Sequence, residues 1–270
     1  MTNLSVTILG CGSSGGVPRI GNHWGACDPG NPKNRRTRCS ILVTKGDADA
    51  PEEERTQVLI DTSPDMPAQL NAANVGRLNA VLYTHEHADQ THGIDDLRMV
   101  AINMWKLVPI YADQTTMDLL QSRFDYCFKT PPGSGYPPIL EPHLIDDIPS
   151  TVTIEGAGGD ITFQPFWQEH GHIKSLGFRF GDIAYSSDAV GICDESWPLL
   201  DGINTWIVDA LRYTEHPSHA NVEQALGWLK RSTATRGVLT NLHVDLDYET
   251  LKGELPDGVE PAFDGMVVPG

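Results

Sequence analysis

Ten consecutive residues, Thr84-His85-Glu86-His87-Ala88-Asp89-Gln90-Thr91-His92-Gly93, restrict the fold of this chain more than any other stretch. Ala80-Val81-Leu82-Tyr83 before them is apolar and strand-like, and Ile94 to Val100 after them reads as the start of a helix. Histidines and an aspartate thus fall between a strand and a helix, where loops on a rigid scaffold carry function. His85 and His87 are two apart, so on an extended backbone they leave the same face and can grip one ion; Asp89 extends that row. Neutral imidazoles suit zinc, and a carboxylate widens the choice to manganese or iron.

Other segments end in the same way. Gln57-Val58-Leu59-Ile60 runs into Asp61, Ile183-Ala184-Tyr185-Ser186 into Ser187-Asp188, and Thr205-Trp206-Ile207-Val208 into Asp209. A strand-like run over 161–167 leads to His170, and a strand spanning Gly237 to His243 carries His243 at its end. Ligands at the carboxyl ends of successive strands converge on one edge of a sheet. His85, His87, Asp89, His170, Asp188 and His243 are therefore the candidate metal ligands. Helices are expected over about 65–75, 113–124 and 220–231, and the proline-rich residues 130–142 form a long irregular loop. Alternating strands and helices of this kind give an α/β fold in a single domain, residues 1–270.

Near the N-terminus, Leu4 to Leu9 reads as a first strand running into Gly10-Cys11-Gly12-Ser13-Ser14-Gly15-Gly16-Val17-Pro18. Gly10, Gly12 and Gly15 match a dinucleotide-binding spacing, but Pro18 opposes the long helix which that motif requires. A tight loop at the rim of the site is the expectation. The five cysteines are scattered and odd in number, so they do not form a disulfide framework. Met1 to Ser5 lacks the basic-then-apolar pattern of a signal peptide and no apolar run is long enough to span a bilayer, so a cytoplasmic location without membrane contact is the default. The net charge of −17, from 19 basic and 36 acidic residues, repels polyanions. A long nucleic acid is a disfavoured partner; a small phosphorylated substrate remains compatible. The one basic cluster, Lys33 to Arg38, offers Arg35, Arg36 and Arg38 as phosphate contacts or as a solvated loop. Oligomeric state is left open, a homodimer included.

The order of these blocks resembles the phosphoribosyl cyclic phosphodiesterase (PhnP-like) branch of the metallo-β-lactamase superfamily, with its four-layer αββα sandwich. The matching pieces are Gly10 to Pro18, Arg35-Arg36 with Cys39-Ser40, Leu59-Ile60-Asp61, Thr84 to Arg98, His170, Ser187-Asp188, His219 and Phe263-Asp264-Gly265-Met266. The resemblance implies one or two divalent ions, zinc or manganese, with iron as a further option. His85, His87 and His170 would hold the first, Asp188 would bridge, and Asp89 would hold the second. It also implies that His219 serves as general acid and, with Asp89, belongs to the catalytic set. Asp61 and Asp209 would orient imidazoles.

This chain departs from the family pattern at two ligands. Gln90 stands where the family has histidine, and Asn241 stands where its last ligand falls. His243, two residues on, is a substitute if the strand continues. The second site should then be weaker, or favour manganese or iron over zinc. Only Cys27 matches a structural zinc cluster of the family, with Asn22 and Trp24 at its other positions, so no structural zinc is expected. The function implied is hydrolysis of a small phosphodiester, a cyclic ribose phosphate or nucleotide. Alternatives are hydrolysis of another ester, thioester or lactone, or a weakly catalytic metal-bearing nucleotide-binding protein.

Overall fold

The computed structural model describes residues 4–270; Met1–Asn3 of the N-terminal reading lie outside the described residues. The first half of the chain supplies β1 (Leu4–Gly10), β2 (Ser40–Lys45), β3 (Thr56–Ile60), β4 (Ala80–Leu82), β5 (Val108–Ala112) and β6 (Leu140–Leu144). The second half supplies β7 (Val152–Ile154), β8 (Ile161–His170), β9 (Ile173–Phe180), β10 (Ile183–Ser186), β11 (Gly191–Ile192), β12 (Thr205–Asp209), β13 (Arg236–Thr240), β14 (Val259–Pro261) and β15 (Val267–Pro269). Among the described residues these make two mixed sheets. The first runs β15-β1-β2-β3-β4-β5-β6; the second runs β11-β8-β9-β10-β12-β13-β14, with β7 beside β8. The last strand thus crosses back to pair antiparallel with β1, Val6 opposite Val268.

The sheets meet face to face because their strands alternate apolar residues toward one shared core. Val6, Ile8, Ile41, Val43, Val58 and Ile60 of one sheet pack against Phe163, Leu176, Phe178, Tyr185, Ile207 and Val238 of the other. The opposite faces are covered by helices. Leu42, Leu59, Val81 and Ile110 pack on α1 (Met66–Ala72), α3 (Leu97–Met104), α4 (Gln114–Arg123) and the short α5 (Asp125–Phe128); α2 (Ala88–Thr91) is a single turn. On the other side Ala184, Trp206, Val208 and Leu239 pack on α6 (Trp197–Leu200), α7 (Val222–Ser232) and α8 (Tyr248–Glu254). Strands covered on both sides read as unbroken apolar runs, and β3 is buried at every position. The architecture is the expected αββα sandwich. No helix among the described residues is long and apolar enough to cross a membrane.

Side chains cap the starts of the longer helices α4 and α7. Asp113 accepts from the backbone N–H of Thr115 and Thr116 at the start of α4, and Asn221 with Gln224 forms a capping box at the start of α7. One expected element is shorter than its sequence suggests: β13 stops at Thr240, and Asn241 turns the chain with φ 62°.

Candidate metal centre

Four strands deliver their C-terminal ends to one edge of the sandwich. Asp61 follows β3, Asp188 lies two residues past β10, Asp209 closes β12 and Asn241 follows β13. Asp61, Asp188 and Asn241 have φ values of 65°, 50° and 62°. The left-handed region costs most residues energy, but short polar side chains such as Asp and Asn tolerate it. Each strand end therefore breaks sharply and aims a polar group across the edge. Backbone strain at three strand ends on one edge is typical of a functional site.

Three imidazoles form the heart of this edge. His85 Nε2 lies 3.0 Å from His87 Nδ1, which lies 3.2 Å from His170 Nε2. The remaining protons of two rings are already committed. Thr84 Oγ1 donates to Asp61 Oδ2 at 2.8 Å, so it accepts from His85 Nδ1 at 3.0 Å. His170 Nδ1 donates to the Ser218 carbonyl at 2.7 Å. Both inward nitrogens thus present lone pairs, and burial together with the neighbouring His170 and His87 holds His85 well below its ordinary titration range. A single proton on His87 cannot satisfy three converging nitrogens. A tetrahedral ion with zinc-like bonds of about 2.05 Å would space its ligands roughly 3.3 Å apart. The residues present fit a divalent ion.

Beside this triad, His170, Asp188 and His219 form a second group of converging donor atoms. His219 Nδ1 sits 2.9 Å from Asp209 Oδ2, and its Nε2 faces Asp188 Oδ1 at 3.9 Å. Asp209 is wholly buried and also accepts from the Ala189 N–H at 2.9 Å, which fixes the ring's orientation. Burial alone would lower the His219 titration, but the carboxylates of Asp209, Asp188 and Asp89 overcome it and raise it to about 9. The imidazolium is therefore the resting form near neutrality.

Asp61 and Asp209 stand behind imidazoles, as the sequence implies. Asp89 does not extend the histidine row. Ala88–Thr91 closes a helical turn (α2), Thr91 Oγ1 donates to the His87 carbonyl, and the period-two row ends at His87. Asp89 lies instead near Asp188, and burial followed by the charge of Asp188 raises it to about 6.

His243 is a correction. With Asn241 in the left-handed region the chain is no longer extended, so residue 243 does not share a strand face with residue 241. Its Nε2 contacts Arg19 and its Nδ1 pairs with Asp245 at 2.9 Å. Nor does the site recruit His92 or His172: both are exposed, and His92 rests edge-on against Phe124. His216 flanks His219, with ring centroids 5.0 Å apart.

The basic stretch is mostly structural. Arg36 is buried against Asn34 Oδ1 and the His243 carbonyl, Arg38 pairs with Asp65 at 2.8 Å, and Lys33 lies over the Tyr248 and Phe263 rings. Arg35 stacks on Trp24, and Cys27 Sγ faces the Val244 and Leu246 carbonyls. The glycine loop serves close packing: a side chain at Gly10 would meet the Arg38 carbonyl at 2.1 Å. Asp264 ties this loop down by accepting from Cys11 N and Thr37 N. A groove of about 590 Å³ beside β1, β2 and α1, lined by Thr7, Leu42 and Ala68 among others, holds none of the candidate residues. The converging imidazoles locate the chemistry. Sequence reasoning missed the Ser218 carbonyl and the Thr84 hydroxyl as partners of His170 and His85; no residue pattern announces a backbone acceptor.

Comparison with known proteins agrees with this geometry. Residues 56–241 match the family model of the beta-lactamase superfamily domain. An octanoyltransferase of Porphyromonas gingivalis is 33% identical over 262 residues, covering 96% of this chain and 50% of that protein. The chain thus spans about half the length of that curated relative. The crystal structure of a diphosphatase from the PhnP family is 31% identical with a TM-score of 0.84, covering 99% of this chain and 97% of its own. A metallo-β-lactamase fold protein of Bacillus subtilis, YhfI, shares the fold with a TM-score of 0.71 at 18% identity, covering 99% of both chains. Strand-end carboxylates, a three-imidazole cluster and these likenesses agree: the chain belongs to the beta-lactamase superfamily, with a metallo-β-lactamase fold of the PhnP-like branch.

Proposed function

We propose that this hydrolase cleaves a small phosphodiester, a cyclic ribose phosphate or nucleotide, using one divalent ion at His85, His87 and His170. The observation that carries the proposal is the pairing of that triad with an imidazolium, His219, held by Asp209 beside it. An ion in the triad would acidify a water molecule and polarise a phosphoryl oxygen. Asp61 and Thr84 keep His85 in the tautomer whose Nε2 lone pair points inward. His219 holds a proton at Nε2 and gives it to the departing alkoxide as the P–O bond breaks, while Asp209 stabilises Nδ1. Asp89, half-buried and contacted by the Gln90 amide, is the carboxylate assigned to take the proton of the attacking water. Burial of His85 and His170, with His87 half-buried between them, keeps these groups in fixed relation before substrate arrives.

The PhnP-family neighbour is a diphosphatase, and that likeness supports cleavage at phosphorus. The Porphyromonas relative, an octanoyltransferase, supports a second reading in which the substrate is a thioester. A panel of cyclic nucleotides, bis(p-nitrophenyl) phosphate, acyl thioesters and lactones separates the two. We expect turnover of the phosphodiesters and a loss of about 100-fold or more in His219→Ala, the usual scale for a general acid. Turnover confined to thioesters or lactones would overturn the phosphodiester assignment.

A further inference from the structure

We infer that the centre holds a single ion, because the side-chain amide of Gln90 occupies the place where a second one would bind. This rests on the metal-dependent reading above and concerns only the half of the site facing Asp89 and Asp188. Gln90 is fully buried, and its Nε2 lies 3.0 Å from Asp188 Oδ2 and 3.4 Å from Asp89 Oδ2. The amide nitrogen has two hydrogens, one for each carboxylate. A buried carboxylate, Asp188, and a half-buried one, Asp89, that share one amide nitrogen need positive charge or N–H donors between them, and here the donors are built in.

The orientation of that amide is set by its neighbours. Turned over, it would push its oxygen against two carboxylate oxygens. As placed, Oε1 is buried without a partner, a cost accepted so that both hydrogens reach the acids. A cation entering between Asp89 and Asp188 would break both hydrogen bonds and force the amide to rotate inside a packed site.

Neither of the other candidate donors makes up the loss. Asn241 turns on a left-handed backbone and places Nδ2 3.1 Å from His219 Nδ1, on the Asp209 edge of that ring rather than the Asp188 edge. His243 is engaged by Arg19 and Asp245. The second half of the site therefore lacks an uncommitted imidazole, whereas the first half has three. What remains is two carboxylates already bridged, a poor match for zinc, which prefers nitrogen ligands, and open to manganese only if the amide is displaced. The N–H donors of Gln90 thus stand in for a second cation.

Metal content tests this without reference to turnover. Protein stripped with a chelator, reloaded with excess Zn²⁺ or Mn²⁺ and desalted is analysed by mass spectrometry, and Co²⁺ titrations are followed by absorbance. We expect one equivalent in the wild type and two in the double variant Gln90→His, Asn241→His. Gln90→Glu, a near-isosteric control for folding, should gain a second equivalent with Mn²⁺. Two equivalents in the wild type would overturn the inference and leave the proposed reaction standing. One equivalent in the wild type and in both variants would refute the role given to the amide. No bound ion at all would overturn the triad site and the inference together.

Discussion

Replacing Asp209 with asparagine, which keeps shape but removes charge, probes the acid through its own titration. Asp209 accepts from His219 Nδ1 and from the Ala189 N–H, both at 2.9 Å, so the amide oxygen can hold the same geometry. Burial lowers the His219 titration, and Asp209 is the largest influence opposing it; without that charge only Asp188 and Asp89 remain. A return from about 9 to the ordinary 6.5 is equivalent to about 3 kcal/mol. The His219 side chain is 15% exposed, so solvent screening takes little from that figure. Because the folded-state value is raised, the stabilisation is fully present below about pH 6.5 and lost as pH rises through about 9. Urea unfolding of metal-free wild type and variant should therefore differ by up to about 3 kcal/mol more at pH 6 than at pH 10. NMR of the His219 ring should show the shifted titration directly. At pH 8 the protonated fraction falls from about nine tenths to about 3%, so phosphodiester turnover should drop roughly 30-fold beyond any loss at pH 6. A stability difference independent of pH, or an unmoved alkaline limb in the rate profile, would refute the assignment of His219 as an Asp209-supported acid.

Thr84→Val removes the hydroxyl that accepts from His85 Nδ1, and metal affinity measured against a chromophoric chelator should weaken 10- to 100-fold; an unchanged affinity would remove Thr84 and Asp61 from the design of the site. At Gly93 a methyl group would stand 2.3 Å from the Ser63 carbonyl, so Gly93→Ala should destabilise the fold by about 1–3 kcal/mol and displace the loop after β3, read as a lower urea midpoint. Phe178 is fully buried between the sheets, and Phe178→Ala should cost about 3–5 kcal/mol in thermal or urea unfolding, with a value under 1 arguing against a tightly packed sandwich core.

Much of this architecture is legible in the sequence because it rests on periodicity and on strand ends. Apolar runs ending in Asp61, Asp188 and Asp209 declare strands covered on both faces, and the motif at His85 and His87 declares which edge they serve. What stays hidden depends on local backbone conformation. A ligand role for His243 requires that β13 continue; the left-handed turn at Asn241 diverts the chain, and nothing in Leu239-Thr240-Asn241-Leu242 requires it. The extended row expected to reach Asp89 is in fact one turn of helix, a choice made by the Thr91 hydroxyl bonding back to His87. The basic stretch at Lys33 to Arg38 reads as solvated or phosphate-binding, yet Arg36 is buried as a tie between loops distant in sequence. Local turns at Asn241 and Thr91, and long-range contacts such as that of Arg36, set these outcomes, and a linear pattern does not carry them.

If His85, His87 and His170 make the chain a metal-dependent phosphodiesterase, its rate must follow the occupancy of that triad. The decisive measurement is hydrolysis of bis(p-nitrophenyl) phosphate by chelator-stripped protein before and after one equivalent of Zn²⁺ or Mn²⁺, with His85→Ala beside it. We predict negligible turnover in the stripped protein, recovery on adding the ion, and no recovery in His85→Ala. Equal rates in stripped and reloaded protein, or full recovery in His85→Ala, would contradict the assignment.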